Sequence, residues 1–117
     1  MRTIKFRAIK DDMSDFRFVY GNLIYDHKGN PRIQEDANKP TFTTCVNGSE
    51  CQFTGLHDKN GKEIYEGDIV TDGVGKFKII YDLKLAGYQP YCIFRDEPEN
   101  YCEVIGNIYE NPDLVKL

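Results

Sequence analysis

No stretch of a dozen residues in this 117-residue chain keeps apolar side chains at the spacing of three and four that an amphipathic helix needs. What recurs is the short run rich in aromatic and β-branched residues, closed by Gly, Pro, Asn or Asp. Residues 3–9 (TIKFRAI), 16–25 (FRFVYGNLIY), 41–46 (TFTTCV) and 51–56 (CQFTGL) are of this kind. So are 68–71 (DIVT), 75–82 (GKFKIIYD), 91–96 (YCIFRD) and 101–110 (YCEVIGNIYE). Such a chain reads as mainly β, because its side chains suit a pleated, half-buried surface and its punctuation suits tight turns. Strands this short predict a small antiparallel barrel or a pair of packed sheets, which bury one face of each strand and limit open edges.

The connections carry their own turn chemistry. Residues 10–15 (KDDMSD) link the first two runs, and 26–31 (DHKGNP) hold three turn formers, Asp26, Gly29 and Pro31. A short apolar position at Ile33 precedes the polar residues 34–40 (QEDANKP), which read as a loop. Asn47-Gly48 in NGSE predicts a hairpin joining TFTTCV to CQFTGL. The DGVG at 72–75 makes a tight turn between DIVT and GKFKIIYD, whereas LKLAGYQP at 83–90 reads as a wide loop or a brief helix-like excursion. EPEN at 97–100 is another turn. Asn111, Pro112 and Asp113 resemble a helix start with room for a turn or two, so at most a short C-terminal helix is expected.

Asp26-His27-Lys28-Gly29-Asn30 and Asp58-Lys59-Asn60-Gly61-Lys62 share one pattern: Asp, two polar residues, Gly, polar. It predicts two hairpins of the same type, in which Asp accepts hydrogen bonds from the following amides and Gly takes a positive φ. In EGDIV, Gly67 is expected to relieve the backbone where a new strand begins, Asp68 to tie down the turn, and Ile69 and Val70 to start a buried run. A Gly-Asp pair before branched residues, with a second strand after a tight turn, resembles an SH3-like element in the C-terminal half. That analogy concerns fold alone.

Length and composition set the outer bounds. The chain suits one domain over 1–117, and with 40% hydrophobic residues it can fold without metal or disulfide staples. No apolar run approaches a membrane span, and MRTIKFRAIKDD lacks the core of a signal peptide, so a cytoplasmic, membrane-free protein is expected. Residues 1–10 carry four bases and no acid, 11–81 eight bases against twelve acids, and 82–117 three against seven, for a net charge of −4. A chain of this sign repels phosphate backbones on average, which leaves the basic N-terminal stretch as the local exception. There Ile4, Phe6 and Ala8 alternate with Lys5 and Arg7, the pattern of a half-buried strand with a solvated basic face.

Residues 54–70 (TGLHDKNGKEIYEGDIV) are the part of the chain that most invites an active-site reading. An EF-hand loop needs glycine sixth and glutamate twelfth, whereas Gly61 stands fourth from Asp58 and Ile69 twelfth. The Gly-Lys pair lacks P-loop spacing and a following Ser or Thr. His57 and Asp58, as neighbours on an extended strand, point to opposite faces, and no Ser or Cys sits in a nucleophile motif. Cys45, Cys51, Cys92 and Cys102 match neither zinc-knuckle nor redox-pair spacing and read as small buried hydrophobes. No catalytic residue, metal site or cofactor site is assigned.

The segments FTGLHDKNGKEIYEGDIV and EVIGNIYENPDL, with IKFRA and VYGNLI upstream, closely resemble the YopX family of small proteins encoded by phages and prophages. The resemblance touches both ends and the middle, with 26–52 and 82–100 matching loosely. It departs at Ile9, where the family commonly has an aromatic residue. It implies a largely β fold, a phage or prophage origin and a bacterial cytoplasm, and it brings no catalytic residues with it. Two functions remain. The preferred one is a non-enzymatic accessory protein that binds a phage or host protein and forms homo-oligomers, suggested by eight tyrosines and no catalytic constellation. The alternative is a small nucleic-acid-binding barrel using Lys5, Arg7, Lys76 and Lys78 with nearby Phe and Tyr for stacking.

Overall fold

A computed structural model of the chain describes residues 3–12, 16–90 and 98–115. Its regular structure is almost entirely antiparallel strand, and it divides into two compact units, Met1–Phe53 and Thr54–Leu117.

In the first unit, β1 (Phe6–Ile9) pairs with β2 (Phe18–Tyr25), and β2 pairs in turn with β3 (Pro31–Gln34). The short β4 (Thr43–Thr44) pairs with β3. On the other side of β1 lies the start of β5 (Cys51–His57), with Phe6 opposite Gln52 and Arg7 opposite Cys51. Alternation holds on this face of β1, where Ala8 is buried together with Val19, Ile33 and Cys45 and has Phe6 and Leu23 against the cluster, but Ile4, expected on the same face, lies before the strand and is exposed. Gly21 on β2 lies against the backbone of Gln34 on β3. A Cβ there would run into the Gln34 carbonyl oxygen and lie 2.9 Å from its carbon.

The expected Asn47-Gly48 hairpin does not form. β4 pairs with β3, while β5 pairs with β1, so the NGSE turn joins two strands that are not partners. Ser49 explains the geometry. Its buried hydroxyl donates to the Val46 carbonyl at 2.6 Å and accepts the Ile9 amide at 3.0 Å, anchoring the turn on the end of β1. A side-chain bond of this reach competes with ladder pairing.

The second unit contains the far half of β5, its neighbour β6 (Glu63–Tyr65), and the sheet β11-β7-β8. These last strands are Glu103–Asn107, Asp68–Thr71 and Lys76–Lys78. Ile64, Val70, Ile79 and Cys102 form its buried cluster, with Leu56, Phe77, Tyr88, Tyr101 and Val104 packed around it. The run GKFKIIYD, expected as one strand, breaks at Ile79 into β8 and β9 (Ile80–Asp82). Ile79 turns wholly inward, its amide donating to the Asp68 carbonyl and its carbonyl accepting from Gly67. LKLAGYQP proves to be the second arm of a hairpin, in which β10 (Gly87–Gln89) pairs with β9 across a turn capped by Asp82. The Asp82 Oδ1 accepts the Lys84 and Leu85 amides at 2.9 and 3.3 Å.

Two short 3-10 turns, Pro98–Asn100 and Pro112–Val115, complete the chain. The second occupies the place expected for a C-terminal helix. Among the described residues no sheet closes on itself, so of the two architectures expected, open sheets and not a barrel are what form. YCIFRD, with Cys92, lies outside the described residues.

Candidate functional site

The two Asp-Gly turns have one geometry. In the first, Asp26 Oδ1 accepts the amides of Lys28 (2.8 Å) and Asn30 (2.9 Å), the Asp26 carbonyl accepts from Gly29, and the Asp26 amide donates to Asn30. In the second, Asp58 Oδ1 accepts the amides of Asn60 (2.9 Å) and Lys62 (2.8 Å), the Asp58 carbonyl accepts from Gly61, and the Asp58 amide donates to Lys62. Gly29 and Gly61 have φ of 84° and 80°, the left-handed region where a side chain is strained. The echo in the sequence is therefore one hairpin turn used twice.

The difference lies in the second carboxylate oxygen. Asp26 Oδ2 faces solvent-side partners, the Asn30 side-chain amide at 3.3 Å and Arg32 Nε at 3.8 Å. Asp58 is only 2% exposed, and its Oδ2 accepts the amide of Val104, 46 residues away on β11, at 2.9 Å. The neighbouring Lys59 amide donates to the Cys102 carbonyl at 2.8 Å. Burial by itself would push the Asp58 carboxyl up, but the Val104, Lys62 and Asn60 amides and the Lys62 charge outweigh it and hold it below its ordinary value. Asp58 is thus an ionised pin between the hairpin and β11.

The rest of the 54–70 stretch is equally occupied. Thr54 Oγ1 donates to the Ile64 carbonyl at 2.7 Å, closing β5 on β6. Asp68, also buried, accepts the Tyr65 amide at 2.8 Å, and the Tyr65 hydroxyl donates to Glu63 at 3.0 Å. Gly67 turns at φ 82° and its carbonyl accepts from Ile108, while Ile69 and Val70 are buried behind it, as EGDIV predicted. A general acid or base needs a free path to the proton it moves. Asp58, buried and bonded to three backbone amides, has none.

The thiols offer no better candidate. Cys45, Cys51 and Cys102 are buried thiols outside any disulfide. Burial, with the charges of Asp58 and Asp72, pushes the Cys102 thiol up to about 11, so it stays protonated. Among the described residues no group of three or more His, Cys, Asp or Glu side chains is placed to hold a metal ion.

The four basic residues considered for nucleic acid fall in two places. Lys5 and Arg7 belong to the first unit, and Lys76 and Lys78 to the second. Arg7 corrects the expectation of a solvated basic face: it is 4% exposed, with its guanidinium carbon 4.2 Å from the centre of the Phe18 ring. The cause is the aromatic row on and just before the neighbouring β2, where Phe16 meets Phe18 edge to face at 5.6 Å and Phe18 lies 6.4 Å from Tyr20. Lys5 lies over Phe53 at 5.7 Å. Lys76 and Lys78 are exposed on β8, an edge strand, where charged side chains discourage pairing with other sheets.

Antiparallel sheets, ionised aspartates spent on turn amides, and thiols packed in the interior define a small β protein whose polar signature organises its own backbone. The sequence places it further: a profile of the family described as "YopX protein" matches residues 5–116, and the chain belongs to that family. The crystal structure of protein EF1440 from Enterococcus faecalis is similar in fold, with a TM-score of 0.66 at 24% identity, over 99% of this chain and 100% of that one. Comparison with curated proteins finds no match.

Proposed function

We propose that this protein is a phage- or prophage-encoded accessory protein of the bacterial cytoplasm, a non-enzymatic interaction module that works by binding protein, itself first of all. The observation that carries the reading is the β9–β10 hairpin. Leu83 and Leu85 at its tip are 86% and 68% exposed, and Ile80 and Tyr81 on β9 are exposed as well. Among the described residues β9 pairs with β10, and exposed leucines and aromatics gathered at a hairpin tip are the kind of surface that another protein covers. The same patch on a second copy can meet it about a two-fold axis, which favours a homo-oligomer with the SH3-like C-terminal half as its interacting part.

Sedimentation across a range of concentrations tests this. Wild-type protein should self-associate, and the double variant Leu83→Ser/Leu85→Ser should be monomeric with an unchanged circular dichroism spectrum. A wild type that stays monomeric throughout removes the basis for self-association. The nucleic-acid reading draws on Lys5 over Phe53 and Arg7 against Phe18, basic and aromatic side chains of the kind that stack single-stranded bases. A salt-sensitive band shift with single-stranded DNA or RNA, lost in Lys5→Ala, would favour it instead.

A further inference from the structure

The chain holds two Asn-Gly pairs, Asn47-Gly48 and Asn60-Gly61, both in exposed turns. Asn-Gly is the dipeptide in which a backbone amide most easily attacks the preceding side chain, because glycine adds no Cβ to hinder the approach. A Cβ at either glycine would meet nothing within 4 Å, so neither site is crowded. The difference lies in what each glycine amide touches. Gly61 N donates to the Asp58 backbone carbonyl at 3.0 Å, and the Asn60 amide is held by Asp58 Oδ1, so this turn is tied within itself. Gly48 N donates to the Glu50 carboxylate, Oε1, at 2.7 Å. The other oxygen of that carboxylate accepts the Tyr25 hydroxyl at 3.0 Å, which fixes its orientation.

We propose that Asn47 is a self-modification site, deamidated through a succinimide with Glu50 as the general base. The Gly48 nitrogen bonds to Asn47 Cγ while its proton passes to the Glu50 carboxylate. The Cγ–Nδ2 bond then breaks, and the side-chain nitrogen leaves as ammonia with that proton returned to it. Water adds to either carbonyl of the five-membered ring and opens it, leaving aspartate or isoaspartate at position 47. The net change is amide plus water to carboxylate plus ammonium, with no oxidant or reductant. A carboxylate on the attacking N–H is a far stronger base than the carbonyl on Gly61, so the two Asn-Gly pairs should differ in rate in the folded protein. The product sets a second negative charge beside Glu50, in the turn that Ser49 anchors on β1 through Ile9.

Incubation at neutral pH, with timed digestion and mass spectrometry of the two peptides, measures both rates in one sample. In the folded protein Asn47 should convert roughly tenfold faster than Asn60. Glu50→Gln should bring the Asn47 rate down toward that of Asn60. In denaturing urea, where the Glu50 contact is gone, the advantage of Asn47 should vanish, and this comparison needs no variant. Equal rates at the two sites in the folded protein, or an Asn47 rate that Glu50→Gln leaves unchanged, would overturn the proposal.

Discussion

Replacing Asp58 by Ala separates a local turn from a tertiary pin, because Asp26 offers the same turn without the pin. The substitution strips the acceptor from three backbone amides, those of Asn60, Lys62 and Val104, bonded at 2.8 to 2.9 Å. Hydrogen bonds to a charged group contribute about 1.5 to 3 kcal/mol each, and water can recover part of that where the donor is accessible. Asn60 and Lys62 are exposed and Val104 is half-buried, so the two turn amides re-bond to water and lose about 0.5 to 1 kcal/mol each while Val104 loses about 2. The sum is about 3 to 4 kcal/mol, a factor of roughly a hundred to a thousand in the folding constant. Asp58→Asn keeps one oxygen for the turn but sets an amide donor against the Val104 N–H, for a loss of about 2 kcal/mol. Urea unfolding followed by circular dichroism reads these losses as a fall in midpoint at constant slope. Asp26→Ala, lacking a long-range partner, should move the midpoint much less. An Asp58→Ala midpoint within error of wild type, or equal shifts for the two alanine variants, would refute the pin.

Acid should do gradually what Asp58→Asn does at once. The folded Asp58 carboxyl lies below its ordinary value of 3.8, so its stabilisation is full above that pH and is lost as pH falls through the folded value. The acid limb of a stability-against-pH curve should therefore flatten in Asp58→Asn. Gly61→Val should cost about 1 to 2 kcal/mol in urea unfolding, wholly from backbone strain at φ 80°, since the site has open space around it. Gly21→Ala should cost more, about 2 to 4 kcal/mol, because the new methyl meets the backbone of Gln34 and not a movable side chain. Glu63→Gln should stay within about 0.5 kcal/mol of wild type, as the amide oxygen still accepts the Tyr65 hydroxyl.

Chemistry local to a few residues was legible in the chain alone. Asp, two polar residues, Gly, polar encodes the same turn at Asp26 and at Asp58, because the bonds that make it span at most four residues. The same holds for EGDIV, for DGVG with its Asp72 cap on the Val74 and Gly75 amides, and for the inward face of β1. The absence of helical spacing determined the β class for the same reason. Pairing and burial on the second face belong to the tertiary structure, since both depend on what arrives from elsewhere in the chain. Asn47-Gly48 has the local form of a hairpin, yet Ser49 commits the turn to Ile9, 40 residues upstream, and the two strands take other partners. Arg7 alternates like a solvated residue until Phe18 covers it. In Asp58 the two levels meet in one carboxylate, as the oxygen facing Asn60 and Lys62 answers to sequence while the oxygen facing Val104 answers only to the fold.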